Sequence, residues 1–238
     1  MRRRFLLATV VVAFVAARAL AADAPIPHIA PLRPVPEKLS ATARELSPLE
    51  TGWSWTERVV GTNARIRTNL EIGIAPALPG QPLRVRYWHK RVQLLDAGHG
   101  PQSGAVVAVA YDPSGAVVAL GELGESEPDQ MTKVYDPPRL LMPAVLRADS
   151  AWETAGMHRR VIGIADVESG RWRFPRCFVV ESAHGDTKPN DRSYLAPGVG
   201  EVVTERLGPD GQWHVSTVLE EWTRPKKDPA PSKDEVGV

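Results

Sequence analysis

Ala105-Val106-Val107-Ala108-Val109-Ala110-Tyr111-Asp112-Pro113-Ser114-Gly115-Ala116-Val117-Val118-Ala119-Leu120 is the stretch on which the fold turns. Two valine-rich runs flank a Pro-Ser-Gly turn. Proline presets φ near about −65°, glycine supplies a positive φ, and β-branched residues suit a pleated surface. A connection this short makes the two strands antiparallel. Odd and even positions are apolar alike, so both faces need cover. Either the hairpin lies at a sheet's centre beneath a second layer, or one face lines an apolar cavity.

The same grammar continues outward. Strand-like runs occupy residues 53–60, 64–72, 83–95, 104–112 and 115–122, then 158–167, 171–182, 193–196, 199–207 and 212–222. Glu168-Ser169-Gly170 and Gly208-Pro209-Asp210-Gly211 supply two more turns. In residues 83–95, Leu83, Val85 and Tyr87 fall on one side and Arg84, Arg86 and Lys90 on the other, the pattern of a half-buried strand. No segment after Leu49 sustains a helical period. Residues 137–146 read as a short helix or a crossing loop, limited by Pro137, Pro138 and Pro143. The expected fold class is mainly β: a twisted antiparallel sheet, half-barrel or sandwich-like, with short helices.

The ends speak to location. Arg2, Arg3 and Arg4 precede an apolar run over residues 5–17, and Ala19-Leu20-Ala21-Ala22 follows. That is the layout of a cleavable secretory signal, residues 1–22, with cleavage after Ala21 or Ala22. The run is shorter than the roughly 20 residues a membrane span needs. The expected localisation is periplasmic or secreted. Loss of Arg2, Arg3, Arg4 and Arg18 takes the 29 basic residues to 25 against 28 acidic ones, formally −3. A nucleic-acid partner calls for a basic surplus, and none is present. Cys177 is the only cysteine, so no internal disulfide is available and packing must hold the domain. Residues 23–50 read as a spacer rich in proline (Pro25, Pro27, Pro31, Pro34, Pro36), without ladder hydrogen bonds, plus one or two helical turns stopped at Ser47-Pro48. Residues 51–223 form a single β-domain, and residues 224–238 have little to bury and read as a disordered tail.

Chemistry-bearing residues are scattered. His89, His99 and His184 lack the compact ligand spacing of a metal centre, and no cofactor motif is present. A Gly-x-Ser-x-Gly elbow is absent, and the Asp96/His99 and His184/Asp186 pairs have no adjacent nucleophile, so no catalytic residue is assigned. Cys177 reads as a small buried hydrophobe, with a reactive or intermolecularly paired thiol as the alternative. The row Arg84, Arg86 and Lys90 around Trp88 reads as a solvated face, with acidic polysaccharide or lipid headgroups as the alternative ligands. Trp53 and Trp55 share one side at strand spacing and serve packing or ligand stacking. The candidate ligand-binding set is Val107, Val109, Val118, Leu120, Trp53 and Trp55. Tyr194, Pro197, Gly198 and Gly200 form a structural motif, a kink where proline fixes φ and glycine permits re-entry into a strand.

Three blocks carry a resemblance. They are Leu140-Leu141-Met142-Pro143 with Ser150-Ala151-Trp152, then Val161-Ile162-Gly163 with Phe174-Pro175-Arg176-Cys177, and Tyr194-Leu195-Ala196-Pro197-Gly198-Val199-Gly200. In these the chain resembles the TapB-like family, exported bacterial domains of unknown function. It departs at Ala148, where the family has glycine, and at Ala165-Asp166, where it has glutamate. The resemblance implies a twisted antiparallel sheet, comparable to the half-barrel of periplasmic lipoprotein carriers, and brings no activity with it. The function expected is therefore that of an exported, non-catalytic envelope or periplasmic β-domain whose partner is an apolar, lipid-like small molecule or an envelope protein. The rivals are an envelope-polymer hydrolase with an unrecognised His/Asp site and a purely structural interaction module.

Overall fold

The computed structural model describes residues 26–74, 86–96, 99–102, 106–123, 131–185 and 187–225. The expected signal (1–22) and all but the first two residues of the expected tail lie outside them. In chain order the strands are β1 (His28–Ile29), β2 (Ala41–Thr42), β3 (Ser54–Val59), β4 (Arg65–Ile74), β5 (Arg86–Asp96), β6 (His99–Gln102), β7 (Val106–Tyr111) and β8 (Val117–Leu123). They continue as β9 (Met131–Met142), β10 (Val145–Leu146), β11 (Ala151–Thr154), β12 (Met157–Ser169), β13 (Trp172–His184), β14 (Asp191–Ala196), β15 (Gly200–Leu207) and β16 (Trp213–Thr223). One helical turn, α1 (Ala43–Leu46), follows β2. Among the described residues no helix is long and apolar enough to cross a membrane.

One sheet dominates, in the order β1-β12-β13-β14-β15-β16-β3-β4-β5-β7-β8-β9, with β11 also on β12 and β6 also on β5. Every pairing is antiparallel, as the short turns require. The long-range step is β16 on β3, where Trp222 faces Trp55. Bulges interrupt the ladder at Ala108/Val109, Tyr194/Leu195 and Leu219/Glu221. Each adds twist and helps the sheet curl. The curl brings the far ends together, so that β9 and β11 lie side by side. They share no ladder. Among the described residues the Trp152 indole, donating to the Leu141 carbonyl at 3.0 Å, is what stitches this seam, and the sheet is not closed into a barrel.

Two segments differ from the sequence reading. Residues 137–146 are not helical: most of the stretch is the end of β9, continued by β10. The prolines are tolerated because β9 ends the sheet order and its pairing with β8 jumps from Val134 to Arg139, which leaves Pro137 and Pro138 in the gap. The proline-rich segment is likewise no free spacer. His28 and Ile29 pair with β12, and Ala30 and Arg33 donate to the carbonyls of Asp166 and Ile164, both at 2.9 Å. The residues between the prolines keep their N–H groups, and an edge position needs no more.

Three apolar clusters result. The first joins Leu70, Val109, Trp152, Phe178, Val180 and Leu195 from distant strands to Ala43, Leu46 and Leu146. The second gathers Val167, Cys177, Val179, Tyr194, Val203 and Leu219 from neighbouring ones. The third, Val106, Ala108, Ala110, Val118 and Leu123, is confined to the hairpin of β7 and β8.

Candidate functional site

The centre of the first cluster is filled from outside the sheet. Thr42 caps α1: its hydroxyl accepts from Glu45 N–H at 3.3 Å, while the Glu45 carboxylate accepts from Thr42 N–H at 2.6 Å. These bonds hold the Glu45 carboxyl below its ordinary range. Several tethers fix the segment from different sides. Ala43 N–H donates to the Ala144 carbonyl at 2.8 Å, and Gly198 N–H donates to the Glu45 carbonyl at 2.6 Å. The Tyr111 hydroxyl donates to the Ser47 carbonyl at 3.0 Å and accepts from Leu49 N–H at 2.9 Å. Burial raises the Tyr111 hydroxyl above its usual range, so it stays a neutral clamp.

The segment does not fill the interior. A cavity of about 250 Å³ remains beside Leu46 and Leu49. Its apolar wall is Leu70, Val109, Val117, Leu141, Met142 and Leu195. Trp55, whose indole donates to the Val199 carbonyl at 2.7 Å, forms one side and Trp152 another. The remaining wall is polar: Glu57, Thr68, Arg159, Ser193 and Glu201. By its share of liquid volume, about 30 Å³ per molecule, such a space would hold roughly eight waters.

Arg159 stands out in this wall. Its Nε is buried with no hydrogen-bond partner, and its guanidinium forms no ion pair among the described residues. Burial pulls its pKa down, while the charges of Glu201 and Asp191 hold it up from beyond contact distance. Arg159 and Trp152 face each other across β11 and β12. Both also line a second hollow of about 560 Å³ at the outer ends of β11, β12 and β13.

The sequence-derived candidates divide between faces. Val109 and Trp55 line the cavity, and Val107 packs against the same cluster. Val118 and Leu120 belong to the third cluster on the other side of the hairpin. The register at the turn explains this: Tyr111 faces Val117, so Val109 faces Ala119 and Val118 faces Ala110, and simple alternation puts Val118 and Leu120 on the face away from Val109. Trp53 lies behind Trp55, stacked on it at 5.4 Å and on Trp222 at 6.1 Å. Tyr194 is buried, its hydroxyl on the Glu205 carboxylate at 2.6 Å. Pro197, Gly198 and Gly200 make the turn between β14 and β15, with φ of +77° at Gly198 and +108° at Gly200. That turn carries the Glu45 and Trp55 tethers.

The remaining candidates take no part. Cys177 is fully buried, bonded to the Phe174 carbonyl at 3.4 Å, and burial pushes its thiol up to about 12, so it stays protonated. Among the described residues no three metal-ligating side chains converge. His184 is exposed at the end of β13. Asp186 and the side chains of Arg84, Arg86, Trp88, His89, Lys90, Asp96 and His99 lie outside the described part. Sequence reading missed Arg159, Trp152 and Leu46. For Arg159 a signal existed, since it shares strand parity with Val161 and therefore faces inward.

Comparison of the chain with protein-family models, with curated proteins and with solved structures returns no significant match, so the likeness to TapB-like domains rests on the quoted motifs and brings no residue role to this chain.

Proposed function

We propose that this protein is an exported, non-catalytic β-domain of the cell envelope or periplasm that binds an apolar small molecule inside its curled sheet. The observation that carries the reading is the cavity of about 250 Å³ left open in the first cluster. Protein interiors close-pack, and voids larger than a water are few. Here side chains from opposite walls, together with an inserted helical turn, still leave the centre empty. Apolar walls with a few converging polar groups are the usual make-up of a ligand site. Burial of ligand surface there contributes on the order of 25 cal/mol per Å² before the cost of association.

The test uses N-phenyl-1-naphthylamine, a neutral probe whose fluorescence rises in apolar surroundings, titrated into the delipidated mature protein. Saturable binding is expected, weakened at least tenfold by Val109→Phe or Val117→Phe, both of which project into the space. Absence of binding, or binding indifferent to both fillers while circular dichroism shows the fold intact, would favour the structural-module reading.

A further inference from the structure

Arg159 carries a consequence for what the cavity accepts. Arg159 is half-buried with its Nε shut off from water and from any acceptor, and a guanidinium so placed is disfavoured unless something completes it. Glu201 and Asp191 act on it only from a distance, and Asp191 is already bonded to Arg206 at 3.0 Å. The neighbouring acid at the mouth, Glu181, is just 7% exposed and is shared by two other cations: Arg160 and Arg192 each lie 2.9 Å from it. Glu181 is thus taken up by two guanidiniums on the face of β13 opposite Arg159, which faces Ser182, and among the described residues Arg159 has no carboxylate of its own.

Its position supplies the second observation. Arg159 and Trp152 are the two residues common to the inner cavity and the outer hollow. They stand where the two spaces meet, beside the one seam of the curled sheet that has no ladder, between β9 and β11. A molecule reaching the cavity from that side passes between an indole face and a free guanidinium. Glu57 and Glu201 lie further in, on β3 and β15, so a charged group arriving from outside meets the cation first.

Resting on the ligand-cavity reading above, we infer that Trp152 and Arg159 form the mouth of the cavity and that its ligand is an acyl chain ending in a carboxylate. The chain lies among Leu70, Val109, Val117 and Leu195, and the carboxylate is held at the mouth by Arg159. Arginine offers parallel N–H donors that match a carboxylate, and such charge-assisted bonds are about twice as strong as neutral ones. The cavity volume fits a medium-length chain, so decanoate is the probe, with 1-decanol as its uncharged counterpart.

Isothermal titration of the delipidated mature protein at pH 7.5, where the carboxylate is ionised, is expected to show decanoate binding at least tenfold more tightly than decanol. Arg159→Met should remove that preference and leave decanol binding within about twofold; Arg159→Lys should keep part of it, since lysine retains the charge and loses the fork. Thermal melting controls the fold, and Arg159→Met is expected to melt no lower than the parent because it removes an unpaired charge. Decanol and the naphthylamine probe binding while decanoate binds no better, or decanoate affinity unchanged in Arg159→Met, would overturn the carboxylate assignment and leave the cavity reading standing. Should none of the three ligands bind, both fall. If Arg159→Met does not fold, Arg159→Lys decides, with an undiminished decanoate preference counting against a bidentate contact.

Discussion

Strand β13 serves two interiors that are filled in opposite ways. Phe178 and Val180 belong to the first cluster, Cys177 and Val179 to the second. The second fills itself along cross-strand rows: Val179 faces Tyr194, Tyr194 faces Val203, and Val203 faces Val218. Neighbours about 5 Å apart close such a row without help. The first draws Leu70 from β4, Val109 from β7, Trp152 from β11 and Val180 from β13, walls that meet only because the sheet curls. A curl that wide needs an insert, and the segment around α1 is that insert. What it does not occupy is the cavity. Adjacency fills a core by register alone, whereas curvature creates a volume that some other part of the molecule has to fill.

A matched pair of leucines gives the largest expected effect. Leu46 in the first core and Leu219 in the second are each 1% exposed. Leu219→Ala leaves a new void in closed packing and is expected to destabilise by about 4 kcal/mol. Leu46 already borders empty space and has fewer contacts to lose, so Leu46→Ala is expected to cost about 2 kcal/mol and to tighten naphthylamine binding. Urea denaturation of both variants measures the gap. Equal losses would mean that the first core is packed as tightly as the second.

Gly200 sits where the cores meet. Its φ is +108°, and an added Cβ would lie 3.6 Å from the Leu46 carbonyl oxygen and 3.6 Å from the Trp55 indole nitrogen. Gly200→Val combines a disfavoured backbone with crowding and is expected to cost about 2 kcal/mol. Gly211 also has positive φ, at +75°, but its Cβ would meet nothing within 4 Å. Gly211→Ala should therefore show the backbone effect alone, about 1 kcal/mol. If the two variants melt together, the β14–β15 turn does not brace the insert.

Thr42→Ala tests the insert from its other end. Losing the cap should cost about 1 kcal/mol and weaken probe binding by loosening the cavity wall. The same box sets an acid limit. The Glu45 carboxyl lies below its ordinary value of 4.5 in the folded protein. Its contribution is therefore present above that unfolded value and is lost as pH falls through the lower folded one. The difference in melting temperature between parent and Thr42→Ala should narrow as the pH falls through that lower folded value and the box loses its charge.

Much of this fold was legible because it is local. Turn residues and two valine-rich runs marked the hairpin from Val106 to Leu123, and the runs that became β12 to β16 announced themselves by β-branched content. The positive φ at Gly198 and Gly200 follows from the Ala-Pro-Gly-Val-Gly string. Legibility failed where a distant partner decides. Pro137 and Pro138 argue against a strand until β9 proves to be the sheet's last, with its pairing interrupted there. The proline-rich start gives no sign that β12 has a vacant edge for His28 and Ile29. The cavity was foreseen as one of two outcomes for the Val107–Val109 face. The register set by the Tyr111/Val117 pair put Val118 and Leu120 on the opposite side, a separation that apolar composition alone does not make. Arg159 carried the right parity, but its lack of a partner is a property of the assembled wall.

The smallest expected effect tests the seam that separates the two kinds of interior. The second core is bounded by continuous ladders, while the first has a side where β9 and β11 touch without one. There the Trp152 N–H to Leu141 carbonyl bond, 3.0 Å long, is the tie among the described residues. Trp152→Phe keeps an aromatic ring at the mouth and deletes the donor. Leu141 borders the inner cavity, from which water can replace the indole, so the loss of stability should stay near 1 kcal/mol. Equilibrium affinity for decanol should change only a few-fold, because an aromatic ring still forms that side of the cavity. The rates should move instead: stopped-flow association and dissociation are both expected to quicken severalfold, since the two strands can part without breaking a hydrogen bond. Unchanged rates with the same modest stability loss would place the ligand's path elsewhere on the curled sheet. A large fall in affinity would mean that the indole of Trp152 holds the bound ligand and does not merely tie the seam.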